Sequence, residues 1–256
     1  MTARLFEIGG TTALVTGGSR GIGLSIARGL VESGVTVFIA ARHAEDCDAA
    51  ARSLSEVGTC ISLPCDLSSV DAIAQLASRI GELTPRLSIL VNNAGATWGE
   101  AIETFPEKEW DAAVGVNLKT PFFLVQRLLP LLRAAATAEN PARVINVGSV
   151  AGTIPMARNS YAYAASKAAL HHLTKLMARH LAPTVNVNAI APGAFDTRMI
   201  SWALANRPAL EAQIPRGHIG QGDDIAGVAI FLASRAGAYL TGTVLPVDGG
   251  LSLRNP

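Results

Sequence analysis

A chain of 256 residues with 49% hydrophobic and 16% charged side chains holds ample apolar area for one sizeable core, which excludes a disordered chain and makes a single domain the default. Its 21 Lys and Arg nearly cancel its 20 Asp and Glu, so no global field draws it to nucleic acid or to an anionic membrane, and neither is expected as a partner. The three cysteines, Cys47, Cys60 and Cys65, form no CxxC and have no histidines at ligand spacing; they read as reduced structural thiols, and no metal is expected. The opening MTARLFEIGG carries one Arg and no long apolar stretch, so neither a signal peptide nor a membrane anchor is expected, and the predicted location is cytoplasmic.

In chain order, the first strand is predicted at Thr12 to Thr16, followed by a helix over Gly23 to Ser33 and a strand over Val35 to Ile39. Ile61 to Leu63 is the third strand, and Ser69 to Ile80 a helix with Ser68 and Asp71 as its capping box. Strands then follow at Ile89 to Val91, Val144 to Val147, Val185 to Ile190 and Val244 to Val247. The helices between them are Pro121 to Ala135, Tyr161 to Leu181 and Asp223 to Ser234, each with apolar positions at three- and four-residue spacing. The strand runs are apolar without polar alternation, the pattern of strands covered on both faces. Alternating elements with short connections predict an α/β fold of the Rossmann type: a doubly wound parallel sheet of about seven strands with helices on both faces.

The segment from about 194 to 220 breaks the alternation. It has no strand and carries Phe195, Met199, Ile200, Trp202, Leu204 and Leu210 in a helix-compatible pattern, which predicts an inserted lid suited to an apolar substrate.

Two patterns carry chemistry. The first strand runs directly into TGGSRGIG, Thr16 to Gly23, which opens the first helix. Gly17 permits the sharp turn, Gly21 lets the backbone approach a pyrophosphate, and Gly23 allows the helix to pack closely; the helix N-terminus offers free N–H groups to phosphate. An acidic side chain at the end of the second strand would select NAD, but the stretch reads FIAARHAED, with Ala41 and then Arg42. With Arg20 inside the turn, two guanidinium groups suited to a phosphate point to NADP(H). The second pattern is Tyr163 and Lys167, four apart in a helix and therefore on one face. An ammonium beside a phenol is expected to favour the phenolate and bring proton transfer closer to working pH. Ser149, at the end of a strand, can hold a developing alkoxide.

The GxxxGxG spacing resembles that of the short-chain dehydrogenase/reductase family, and further motifs agree with it: NNAG at Asn92 to Gly95, VNL around Asn117, NVGS ending in Ser149, YAASK from Tyr163 to Lys167, and Pro192–Gly193. The resemblance spans residues about 8 to 252. It implies that Ser149, Tyr163 and Lys167 are catalytic, that Lys167 also holds the nicotinamide ribose, and that Asn117 fixes a proton-relaying water. It places Arg20 and Arg42 at phosphate-binding positions, the pair Asp66–Leu67 at the adenine, and Asn93, Ala94 and Gly95 along the ribose. Ser19, Ile22, Pro192, Gly193 and Thr197 complete the implied cofactor set, and the implied assembly is a homotetramer, with Asp223 to Val247 as a candidate interface.

Locally, ATWGEA, LLPLLR, ENPARVIN and YAYAASKAALH are similar to the β-ketoacyl reductases of rhamnolipid biosynthesis. That similarity implies reduction of a 3-oxoacyl thioester carried on acyl carrier protein or CoA, with Trp98 and Met156 near the acyl chain. Only Arg133 and Arg143 stand where a basic cluster would meet a carrier protein, which puts that partner in doubt. The alternatives are a relative acting on a steroid, sugar or small alcohol, and a non-catalytic NADP-sensing module. His171, His172 and His180 read as packing or surface residues, Glu107 with Glu109 and Asp223 with Asp224 as solvated faces, Tyr161 as packing or a substrate contact, and Asp248 to Gly250 as a turn.

Overall fold

A computed structural model of the chain describes residues 2–155 and 159–253. Seven strands, β1 (Thr12–Thr16), β2 (Thr36–Ala40), β3 (Cys60–Ser62), β4 (Ile89–Asn92), β5 (Ala142–Val147), β6 (Val185–Pro192) and β7 (Val244–Val247), form one sheet in the order β3-β2-β1-β4-β5-β6-β7. Every neighbouring pair is parallel. The helices are α1 (Thr2–Phe6), α2 (Gly21–Glu32), α3 (Ala44–Leu54), α4 (Val70–Leu83), α5 (Glu107–Val114), α6 (Thr120–Ala135), α7 (Tyr161–Leu181), α8 (Ser201–Leu204), α9 (Arg207–Glu211) and α10 (Gly222–Ala233).

The unbroken apolar strands are explained by a core on each side of the sheet. In β1, Ala13 and Val15 face the side covered by α2, α3 and α10, through Ile26, Leu30, Cys47 and Ala229. Leu14 faces the other side, where Ile73 and Ile80 of α4, Leu124 and Leu128 of α6 and Met177 of α7 pack. Adjacent residues of a strand point to opposite faces, so a sheet buried on both needs apolar side chains at every position.

Local differences from expectation have physical causes. The N-cap of α4 is Ser69, whose hydroxyl accepts the Ala72 N–H at 3.1 Å. Ser68 is drawn away, its own N–H donating to Asp66 Oδ1 at 3.1 Å. Asp224 is no mere solvated carboxylate: it accepts the Gln221 N–H at 2.7 Å and closes a reciprocal capping box at the start of α10. Helices α3 and α5 had no large-residue periodicity to announce them, since α3 buries Cys47, Ala50, Ala51 and Leu54 and α5 buries only Ala113. Asp248 does form a turn, its carboxylate accepting the N–H groups of Gly250 and Ser252.

Arg143 overturns the expectation of a surface basic pair. It is 2% exposed, pinned by Nη2 to Asn140 Oδ1 at 2.9 Å and to the Ser234 carbonyl at 3.3 Å, with Nε and Nη1 unpartnered. Burial, with Arg235 nearby, pushes its pKa down to about 10. Among the described residues, no helix is long and apolar enough to cross a membrane.

Candidate active site

The strand order reverses at β1, which has β2 on one side and β4 on the other. The carboxyl ends of the strands around that point open onto a cleft of about 1530 Å³. Gly17, Ser19, Arg20, Gly21, Ile22 and Gly23 form one wall, Arg42, Asp66 and Leu67 another, and Asn93, Ala94 and Gly95 the floor. Ser149, Tyr163, Lys167, Pro192, Gly193 and Thr197 line the far half.

At Gly17 and Gly23 the turn has room for backbone alone. Gly17 sits at φ 65° and Gly21 at φ 53°, both left-handed. A Cβ at Gly23 would overlap the Gly17 carbonyl oxygen and the Asn93 Nδ2, so this glycine lets the helix pack against the turn itself. Asn93 Nδ2 donates to the carbonyls of Thr16 (2.9 Å) and Gly17 (3.2 Å), while Thr16 Oγ1 accepts the N–H groups of Asn93 and Ala94, each at 3.0 Å. The NNAG motif thereby staples the end of β4 to the end of β1 and holds the cradle open.

This cradle fits a dinucleotide. Helix α2 begins at Gly21 with no side-chain cap from Arg20, so its first N–H groups, at residues that line the cleft, are free to serve as anion donors. Arg20 and Arg42 are exposed cations on the same cleft, and β2 ends at Ala40 and is followed by Ala41, so the strand end itself carries no carboxylate to repel a ribose 2′-phosphate. The residues present therefore suit NADP(H).

In the far half, α7 brings Tyr163 and Lys167 to the cleft one turn apart, and β5 delivers Ser149 just past its end. Lys167 is 4% exposed; its Nζ donates to the Val147 carbonyl at 2.7 Å and lies 5.7 Å from the centroid of the Tyr163 ring. Burial pushes the Lys167 ammonium down to about 8. Burial also pushes the Tyr163 phenol above its ordinary value, and a hydrogen bond with Ser149 offsets only part of that. The expected lowering by the ammonium does not figure in the shift, which burial dominates, and the phenol keeps its proton at neutral pH. That is the form a proton donor needs.

Asn117 is completely buried and does not line the cleft. It sits on a π-helical turn, Gly115–Lys119, between α5 and α6. Its Oδ1 accepts the Ala96 N–H (2.8 Å), and its Nδ2 donates to the Ala96 carbonyl (2.9 Å) and to Ser166 Oγ (3.0 Å). Ser166 Oγ in turn donates to the Tyr163 carbonyl at 2.8 Å. Both Nδ2 hydrogens are spent in tying the loop after β4 to the N-terminal half of α7, and Oδ1 keeps one acceptor site beyond the Ala96 N–H.

Several residues came to the cleft without a sequence signal. His43, Asp46 and Cys65 join the nucleotide side, and Asn206 and Gln213 reach in from just before and just beyond α9, while Leu251 returns from beyond β7. Only the fold brings Leu251 near Val150 and Ile214. The expected contact of Trp98 is absent from the cleft lining, and of the two readings of Tyr161, packing or substrate contact, it is packing that the geometry favours. Trp98 is 43% exposed, and Tyr161 packs edge-on against Phe105 at 5.8 Å, as a packing residue. Met156 and the side chain of Trp202 lie outside the described residues. Among the described residues no group of three or more His, Cys, Asp and Glu is placed to hold a metal.

Residues 17–252 match a family model described as enoyl-(acyl carrier protein) reductase, of the short-chain dehydrogenase type. The chain belongs to the short-chain dehydrogenase/reductase family. Among its curated relatives in that family is the rhamnolipids biosynthesis 3-oxoacyl-[acyl-carrier-protein] reductase of Pseudomonas aeruginosa, 51% identical over 252 residues, 97% of this chain and 98% of the relative. A Pseudomonas aeruginosa RhlG/NADP active-site complex superposes with a TM-score of 0.95 at 50% identity, covering 97% of this chain and 99% of that one. A gluconate 5-dehydrogenase from Burkholderia cenocepacia in complex with NADP and tartrate superposes with a TM-score of 0.91 at 32% identity, covering all of both chains. The short-chain dehydrogenase/reductase fold of this chain therefore carries oxidoreductase chemistry.

Proposed function

We propose that the chain is an NADPH-dependent reductase of 3-oxoacyl thioesters, forming the 3-hydroxyacyl product. The observation that carries this reading is a protonated, enclosed phenol, hydrogen-bonded to Ser149 and one helical turn from Lys167, opening onto the same cleft as a phosphate cradle with two free arginines. The name of the Pseudomonas relative supports the acyl class.

Gly17, Gly21, Gly23, Ser19, Ile22, Arg20 and Arg42 would hold the phosphates of the cofactor, Asp66 and Leu67 its adenine, and Asn93, Ala94, Gly95, Pro192, Gly193, Thr197 and Lys167 its ribose and nicotinamide portions. When bound there, NADPH supplies a hydride to the carbonyl carbon. Tyr163 gives its phenolic proton to the carbonyl oxygen, and the resulting phenolate is reprotonated from solvent. Ser149 hydrogen-bonds that oxygen as charge develops on it. Lys167, anchored on Val147, sets its ammonium beside the ring and lowers the cost of the phenolate left behind. Asn117 holds α7 in register with the loop after β4, which makes it a positioning residue.

The 194–220 segment would act as the lid. It is tied at its base by a parallel bridge between Phe195 and Gly220, and Ile200 and Leu210, packed against the cluster of Val150 and Leu251, line the cleft with apolar surface. An acyl chain suits such walls. Burial of Arg143 leaves Arg133 as the sole exposed cation of the expected pair, which favours a CoA ester over a carrier protein. A homotetramer is the assembly we expect, since β7 at the sheet edge is only partly covered and Tyr239 beside it is wholly exposed. Three free cysteines suit a cytoplasmic, reducing setting.

The test is NADPH consumption with acetoacetyl-CoA, a 3-oxoacyl carrier protein, gluconate-type sugars and simple ketones. Fastest turnover on a thioester supports the reading. Fastest turnover on a sugar or ketone replaces the substrate class, and NADPH binding without turnover of any of them would leave a nucleotide-binding module.

A further inference from the structure

His171 stands one turn beyond Lys167 on α7, packed against the end of β5 and 7% exposed. Its Nε2 accepts the backbone N–H of Ser149 across 3.5 Å. Among the described residues that N–H has no other acceptor, and an unpaired buried N–H is costly. Two glycines make the slot for the ring. A Cβ at Gly148 would overlap Nε2, and one at Gly152 would stand 3.0 Å from Cε1. The strand end cannot retreat to make room, because the Gly148 N–H is bonded to the Ile190 carbonyl at 2.7 Å.

Ser149 faces both ways. Its backbone is held from behind by His171, while its hydroxyl accepts the Ala151 N–H at 3.1 Å and hydrogen-bonds the Tyr163 phenol in front. A chain of contacts thus leaves α7 at His171, passes through Ser149 and returns to α7 at Tyr163. We infer that His171 is a positioning residue of the active site, which sets the Ser149 hydroxyl against the Tyr163 phenol by accepting the Ser149 N–H. This rests on the reductase reading above. An aliphatic side chain could fill the slot but would offer no acceptor.

The acceptor is available throughout the working range. Burial, then the ammonium groups of Lys167 and Lys175, push His171 down to about 4, so the imidazole is neutral. With Nε2 accepting, the ring proton is assigned to Nδ1.

The experiment compares His171→Leu, which removes the acceptor, with His171→Gln, whose amide reaches the same place, and His171→Asn, polar but too short. Three measurements are made on the full chain: kcat and KM with acetoacetyl-CoA and NADPH, amide exchange at Ser149, and the titration of Tyr163. In the Leu and Asn variants kcat should fall roughly tenfold to a hundredfold with KM for NADPH within about twofold, as expected for a misplaced catalytic group. Ser149 exchange should quicken and the Tyr163 titration should shift, with Gln restoring all three. Wild-type exchange and an unmoved titration in the Leu variant would overturn the inference, as would a Gln variant as impaired as Leu. Should Leu fail to fold, the contrast between Asn and Gln decides in the same way. A wild-type protein inactive on the thioester would sink the substrate reading alone, because exchange and titration report on the Ser149 contact without any substrate.

Discussion

The Lys167 ammonium lies 5.7 Å from the centroid of the Tyr163 ring while its hydrogen bond goes to the Val147 carbonyl at the end of β5. The lysine is thereby fixed to the sheet and the tyrosine to Ser149, so the two groups keep their places independently of each other's charge. Desolvation then dominates both, raising the phenol and lowering the ammonium.

Replacing Tyr163 with Phe removes the proton donor and leaves the packing of the ring. Turnover should fall roughly a hundredfold to ten-thousandfold, the range for a lost general acid, while NADPH binding followed by fluorescence is retained. A variant turning over near the wild-type rate would refute the assigned proton transfer.

Arg20→Ala combined with Arg42→Asp should invert the nucleotide preference. Charge-assisted hydrogen bonds contribute ~1.5–3 kcal/mol each, so kcat/KM for NADPH relative to NADH should drop by at least about a hundredfold. An unchanged ratio would mean that these arginines are only solvated surface.

Arg143 is a buried guanidinium with no acidic partner among the described residues and two unpartnered nitrogens, and it does not line the cleft. Arg143→Met exchanges that desolvated charge for an apolar group of similar length, and such exchanges are commonly neutral or stabilising by ~1–4 kcal/mol. The melting temperature should hold or rise, with kcat/KM on CoA and carrier-protein thioesters unchanged. Loss of activity on the carrier-protein substrate alone would reinstate Arg143 as a docking residue.

Two pH dependences follow from burial. The folded pKa of His171, about 4, is below its ordinary 6.5, so between those values the unfolded chain binds the extra proton, and stability is lost as pH falls from 6.5 toward 4. Lys167 is likewise depressed, from 10.5 to about 8, so in that window the unfolded chain again holds more protons and stability rises with pH. Activity should move the other way there, declining as pH climbs through about 8 and the ammonium is lost. Denaturant titrations from pH 4 to 10 beside a rate profile would check the signs; a stability curve falling between pH 8 and 10 after correction for other groups would contradict the Lys167 assignment.

Much of the site can be read along the chain because its determinants are local. The spacing of Gly17, Gly21 and Gly23 states a turn and a helix start in seven residues, and Tyr163 with Lys167 states one helix face in five. Each survives any tertiary arrangement that keeps its own element intact. The seven apolar runs likewise carry their own burial pattern, since a strand covered on both faces must be apolar throughout.

What lies between elements could not be read that way. Arg143 and Arg133 look alike in a line of letters, yet one is enclosed by Asn140 and the end of α10 and the other is exposed, because burial depends on what a remote segment lays over a residue. Asn117 turns inward to hold Ala96 and Ser166, neither of which is near it in sequence. His171 was one histidine among three on a helix until Gly148 and Gly152 were brought around it. Local pattern is short-range steric and hydrogen-bonding preference and is written residue by residue. Proximity, desolvation and the resulting pKa values are properties of the packed whole, and only folding creates them.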